Sequence, residues 1–212
     1  MNRPIALILI FFTLLTGCQK ELKPSEMNPN DLPDERAFED EFTREFLQSA
    51  EETRPGYYPF LSKTGKYKMD FPAGGVITKQ PYTLKKSNFE FLSIGILNPD
   101  ESEARISLTY YSENQKDKLD LHLNQFQGRI GKDIDFEAIE KDNATIFYSN
   151  FQRNNFNNYV AYIQRNNESG GIELLYSNRC VTSNGCNEDG AQRKAINDWI
   201  ESVEFIKDDV YD

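Results

Sequence analysis

The sequence predicts an α+β fold: an antiparallel sheet with helices packed on its faces. Three observations carry that prediction. Segments of alternating apolar residues come in runs instead of trading places with helices one by one. Turn-forming residues separate successive runs, and two stretches in the body of the chain carry apolar residues at helical spacing.

The first element precedes the folded body. Arg3 gives the N-terminus a positive charge, and "PIALILIFFTLL" follows as a nearly unbroken apolar run. A membrane-spanning helix needs roughly 20 such residues, so the run has the length of an export-signal core. Leu15-Thr16-Gly17-Cys18 then resembles the lipobox of bacterial lipoprotein precursors. That resemblance implies a signal peptide over 1–17, diacylglyceryl transfer to the Cys18 thiol and cleavage before it. It implies a chain anchored by fatty acyl groups such as palmitate to the extracytoplasmic face of the cell membrane. Two acyl chains make a durable anchor where one is marginal. Gln19 is not the aspartate that holds many Gram-negative lipoproteins on the inner membrane, so outer-membrane sorting follows if the host is Gram-negative.

Residues 18–33 contain three prolines and few apolar groups, which predicts a flexible tether. Residues 34–54 read as an acidic amphipathic helix in which Phe38, Phe42 and Phe46 recur every four residues. Such a stripe either packs on its own domain or, left exposed, offers a surface to a partner groove.

Residues 55–212 read as one domain. In "GKYKMDFPAGG", Tyr67, Met69 and Phe71 alternate with charged residues. "FEFLSIGIL" is apolar at 89 and 91 and again at 92, 94 and 96, which predicts a phase slip at a bulge. "ARISLTYY" is a further strand through Ile106, Leu108 and Tyr110. Leu119, Leu123, Phe126 and Ile130 then mark a helix that Gly131 closes. "IDFEAIEK", "ATIFYSNF", "NYVAYIQR" and "GIELLYSN" predict strands joined through turns at Asp142-Asn143 and "NNESGG". A last helix buries Ala195, Ile196, Trp199, Ile200 and Val203, with Asp189 and Gln192 suited to a capping box, and "EFI" adds a terminal strand.

The opening "YKMDFPAG" and the closing "WIESVEFI" resemble the start and end of the PsbP-like fold, over about Gly65 to Ile206. The tryptophan that family members usually carry after the first strand is absent. The resemblance implies an α/β/α sandwich and a binding or assembly role more than an enzymatic one.

The chain carries a formal charge of −10. Residues 19–52 hold eleven acids against four bases, so the acidity lies in the tether and the helix after it. That balance excludes nucleic acid as a partner and leaves the membrane approached through lipidated Cys18 alone. Cys180 and Cys186 remain as a close pair, "RCVTSNGCN", for which a disulfide is expected outside the cytoplasm and two free thiols are the alternative.

The chain contains no phosphate-cradling glycine loop, nucleophile elbow or His-Glu-x-x-His helix. His122 is the single histidine and lies mid-helix, and "NEDG" at 187–190 lacks the ligand spacing of a calcium loop. No metal, cofactor or catalytic residue is expected. The function expected is that of an envelope protein-interaction or assembly module with a protein partner of unknown identity. The first alternative is a small-ligand or glycan-binding lipoprotein, with Tyr57, Tyr58, Phe60, Tyr110 and Tyr111 as candidate stacking faces. The second is a hydrolase working through paired carboxylates.

Overall fold

A computed structural model describes residues 22–98, 102–179 and 190–207. Strands β1 (Tyr57–Leu61) and β2 (Tyr67–Pro72) form a hairpin. Eight more follow in chain order: β3 (Gly75–Ile77), β4 (Thr83–Lys85), β5 (Phe89–Leu97), β6 (Glu103–Tyr111), β7 (Glu137–Glu140), β8 (Ala144–Arg153), β9 (Phe156–Arg165) and β10 (Gly171–Arg179). These make an eight-stranded sheet in the order β3-β5-β6-β10-β9-β8-β7, with β4 beside β5. The last strand, β11 (Glu204–Phe205), returns to β2 and completes a separate three-stranded sheet, and every pairing is antiparallel.

The large sheet is covered on both faces. Along β6, Ala104, Ile106, Leu108 and Tyr110 point to one side, where they meet the small sheet and the C-terminal helix. β9 is buried at all positions from Asn157 to Arg165, because Tyr159, Ala161 and Ile163 enter that core while Val160 and Tyr162 enter a second one behind the sheet. A strand covered twice loses the in–out alternation of a half-exposed one.

One helix, Leu119–Ile130, closes the second core with Leu119, Leu123, Phe126 and Ile130, and Gly131 ends it in the left-handed region at φ 68°. Another, Gly190–Glu201, presses Ile196, Trp199 and Ile200 into the first core with Val203 just beyond it. Ala195 stays exposed, outside the stripe expected for it. The turns at Asp142-Asn143 and 166–170 join β7 to β8 and β9 to β10.

Residues 34–54 do not form one helix. They make two four-residue helices, α1 (Arg36–Glu39) and α2 (Glu41–Arg44), so the two longer helices are α3 and α4. Asp40 breaks the run in an extended conformation, and its carboxylate accepts from the Thr43 amide and hydroxyl, each at 2.7 Å. Thr43 Oγ1 in turn accepts from the Ile77 amide of β3 at 3.0 Å. The Ala37 amide donates to Ala73, Gln48 to Pro59, and Leu61 to Phe46. The segment therefore makes its hydrogen bonds to β1 and β3, and tertiary pairing outweighs the four-residue period.

The possible partner surface on this segment is corrected with it. Phe38 is 3% exposed and Phe46 0%, and Phe42 packs against Tyr82 with ring centres 5.3 Å apart. These rings fill the domain's own core. The tether, too, is ordered from residue 22. Pro24–Glu26 and Pro29–Asp31 are 3-10 turns, Pro24 is buried, and Leu32 packs on the core. A boundary at residue 55 does not exist in the fold.

The bulge expected in β5 is likewise absent. Its register with β6 runs unbroken from Phe89↔Tyr111 to Leu97↔Glu103. Leu92, Ile94 and Ile96 lie on the first core with Glu90, while Phe89 and Phe91 lie behind the sheet. Apolar residues on both faces imitate a slipped phase.

Candidate functional site

The structure leaves a cleft of about 310 Å³ where the first core reaches the end of the large sheet. Tyr57 of β1, Tyr176 of β10 and Trp199 of α4 supply its aromatic walls, and Asn98, Ser102 and Gln192 its polar groups. Three remote parts of the chain meet there because β1 is held to β2, and β2 is held to α4. The Trp199 indole donates to the Asp70 carbonyl at 2.7 Å, and the Asp70 amide donates to Ser202 Oγ at 3.1 Å.

Each wall is fixed from behind. The Arg54 guanidinium lies 3.6 Å from the centre of the Tyr57 ring and pairs with the Asp70 carboxylate at 2.7 Å. Tyr176 sits edge-on to Tyr159 and 5.8 Å from Trp199. Burial pushes the Tyr176 phenol well above its ordinary pKa, with Tyr57 and Tyr159 adding to the shift, so it remains a neutral hydroxyl. Asn98 Nδ2 donates to Ser102 Oγ at 2.9 Å across the β5–β6 turn.

Two residues beyond Tyr176, on the same face of β10, Asn178 is 6% exposed and its Oδ1 has no hydrogen-bond partner among the described residues. Buried amide oxygens are rarely left unpaired, because each forfeits about 1–3 kcal/mol. The lining thus combines ring faces, amides and hydroxyls, with no carboxylate or ammonium among its described residues. Stacking and hydrogen bonding are the contacts such groups can make.

A second depression, about 440 Å³, lies at the other end of β5 and β6 and is lined by Lys85, Lys86, Phe89, Tyr111 and Asn114 among others. Asn114 Nδ2 donates to the Tyr162 hydroxyl at 3.0 Å, and Tyr162 donates to Gln164 Oε1 at 3.0 Å. Behind the sheet, Arg129 of α3 pairs with Glu173 of β10. Burial raises the Glu173 carboxyl above its ordinary value, and the Arg129 guanidinium offsets part of that rise.

The residues singled out from the sequence fare differently. Cys18, Cys180, Cys186 and Asp189 lie outside the described residues. Tyr57 lines the cleft and Tyr111 the second depression, whereas Tyr58, Phe60 and Tyr110 are core. His122 is half-buried on α3 with its ring 6.2 Å from Tyr162; its Nε2 has no partner among the described residues and burial lowers its pKa. No group of three or more His, Cys, Asp or Glu among the described residues is placed to hold a metal ion, and no described helix is long and apolar enough to cross a membrane. Asn98, Ser102 and Gln192 were missed, since only the meeting of the β5–β6 turn with α4 brings them to one cleft.

The described residues define an α+β domain with antiparallel sheets and few helices. The chain belongs to the family described as "Putative lipoprotein YvcA", whose model matches residues 33–204. It is similar to the protein of that name from Bacillus subtilis (strain 168), at 31% identity over 208 residues, covering 88% of this chain and 83% of the relative. A solved structure from Bacteroides thetaiotaomicron VPI-5482 aligns with 71% of this chain at a TM-score of 0.38 and 15% identity, and the chain spans about half (48%) of that structure.

Proposed function

We propose that this lipoprotein is held on the extracytoplasmic face of the membrane by acyl groups on Cys18, after loss of residues 1–17, and that its body binds a small neutral polar ligand such as a sugar unit. The role is binding without catalysis. One observation carries it: the cleft of Tyr57, Tyr176 and Trp199 with its amides, and on the same face an Asn178 oxygen that has no partner among the described residues. The layering of α3 and α4 on opposite faces of one sheet supports the PsbP-like reading. The assembly-module reading loses its motive, because Phe38 and Phe46 are spent on the core.

Heteronuclear NMR of the chain from residue 18 onward, titrated with a panel of neutral sugars and metabolites, tests the cleft. Shifts at Gln192 and at the Trp199 indole are expected for at least one member, and Gln192→Ala weakens that response. A panel that leaves both signals unmoved overturns the assignment. Membrane fractionation tests the anchor: Cys18→Ser releases the protein from the membrane fraction if the thiol is acylated. Alkylation of the unreduced protein tests the proposed Cys180–Cys186 disulfide, which blocks both thiols when formed.

A further inference from the structure

The connection from β3 to β5 has a charge unlike the rest of the chain. From Phe71 to Phe89 there is no Asp or Glu, yet Lys79, Lys85 and Lys86 fall within it, in a protein of net charge −10. Among the described residues none of the three is within ion-pair distance of a carboxylate. Lys79 and Lys85 lie over the rings of Phe42 and Phe89, at 6.0 and 5.4 Å. Leu84, between them in β4, is 42% exposed. Exposed lysines whose ammonium groups have no carboxylate beside them suit a phosphate-bearing surface.

Position gives this patch an occupant. Tyr82, at the base of the same excursion, packs against Phe42 and Phe46 beside α2. The turn Pro24–Glu26, where the described chain begins, also packs against α2, and Leu22 just before it is 58% exposed. Pro24 lies six positions after Cys18, a span of at most about 22 Å when extended. An acyl anchor at Cys18 therefore keeps this end of the domain within reach of the bilayer surface. Glu45, just after α2, is already paired with Lys63 at 2.7 Å, while Glu41 at the start of α2 remains exposed.

We infer that the β3–β5 excursion docks on the membrane that anchors the chain, with Lys79, Lys85 and Lys86 on anionic lipid headgroups and Leu84 at the acyl boundary. The inference rests on the lipidated reading of Cys18. It also revises the expectation that the anchor alone meets the membrane. Docking fixes the domain's orientation, because two points of attachment restrict a body that one tether leaves free to turn.

The test tethers the chain from residue 18 onward, which contains every described residue, to vesicles through an added N-terminal hexahistidine and a nickel-chelating lipid. Leu84→Trp supplies an exposed reporter in a chain whose single native tryptophan, Trp199, is buried. Its emission is expected to be quenched by brominated acyl chains in vesicles containing phosphatidylglycerol, and unquenched where phosphatidylcholine is the only lipid besides the nickel chelator. Lys85→Glu/Lys86→Glu in that background restores the emission. For the untethered wild-type chain, each lysine removed weakens sedimentation with the anionic vesicles about fivefold. Leu84→Trp emission unquenched in the anionic vesicles, or quenched equally in neutral ones, overturns the inference. Because the nickel lipid replaces the acyl chains, this result is independent of whether Cys18 is acylated, which fractionation of Cys18→Ser reads separately.

Discussion

The two faces of the large sheet are built differently. One is covered by the small sheet, the segment 36–47 and α4, and its rings meet at close quarters: Phe46, Phe60 and Phe71 stack in sequence with centres 5.5 and 6.0 Å apart. The other is covered by α3 and the segment after it, and most of the apolar residues around its core are only partly buried. Ionised and hydrogen-bonded groups share that face, namely Arg129 with Glu173, and Asn114 with Tyr162 and Gln164. A thick cover can exclude water by apolar area alone. A thin one leans on polar contacts, which respond to pH and to the loss of one partner.

The largest expected effect lies on the thick face. Trp199→Ala removes a ring 2% exposed together with its bond to Asp70, and costs about 3–5 kcal/mol in urea unfolding. Phe126→Ala, the equivalent deletion behind the sheet, is expected at the low end of that range, since its partly exposed neighbours can close over the gap. Equal costs would break the contrast between the faces.

Next in size is Arg129→Ala, which leaves Glu173, with a side chain 7% exposed, without its cation. Breaking a fully buried pair costs about 3–5 kcal/mol, but the Arg129 side chain is 49% exposed, so about 1–2 kcal/mol is expected in the same measurement. Asp40→Ala, which loses the cap that divides α1 from α2, is expected to cost about 1 kcal/mol.

The smallest effect concerns pH. Glu173 has its folded pKa raised, so the folded state binds its proton more tightly than the unfolded chain does. Its stabilising contribution is full below the ordinary carboxyl value and is lost as pH rises through the higher folded value. Glu173→Gln is therefore expected to flatten the fall of stability across that interval, as read by unfolding at stepped pH. An unchanged slope would show that Arg129 offsets the burial completely.

Legibility from sequence followed the reach of each interaction. The α3 stripe Leu119, Leu123, Phe126 and Ile130 packs on one core, and the α4 stripe holds except at Ala195. Both helices are long enough for period to dominate. In 34–54 the same four-residue period failed, because Asp40 and Thr43 tie the backbone to β3 and no local signal announces a partner more than thirty positions away. β1, β3 and β4 were missed as strands, being short and paired at edges. Of the cleft, Tyr57 was named as a stacking face and Trp199 as core, and their meeting with Tyr176 was not visible.

What the amino-acid order settles by itself is the material: antiparallel strands in runs, two amphipathic helices, a leader resembling that of a lipoprotein, and acidity gathered before residue 53. Tertiary structure alone decides that the phenylalanines near the start turn inward, that Tyr57, Tyr176 and Trp199 share one cleft, and that the β3–β5 excursion returns against Phe42 through Tyr82. Periodicity reports which side of an element is apolar. It is silent on what covers that side, because the cover is chosen by the packing of segments far apart in the chain.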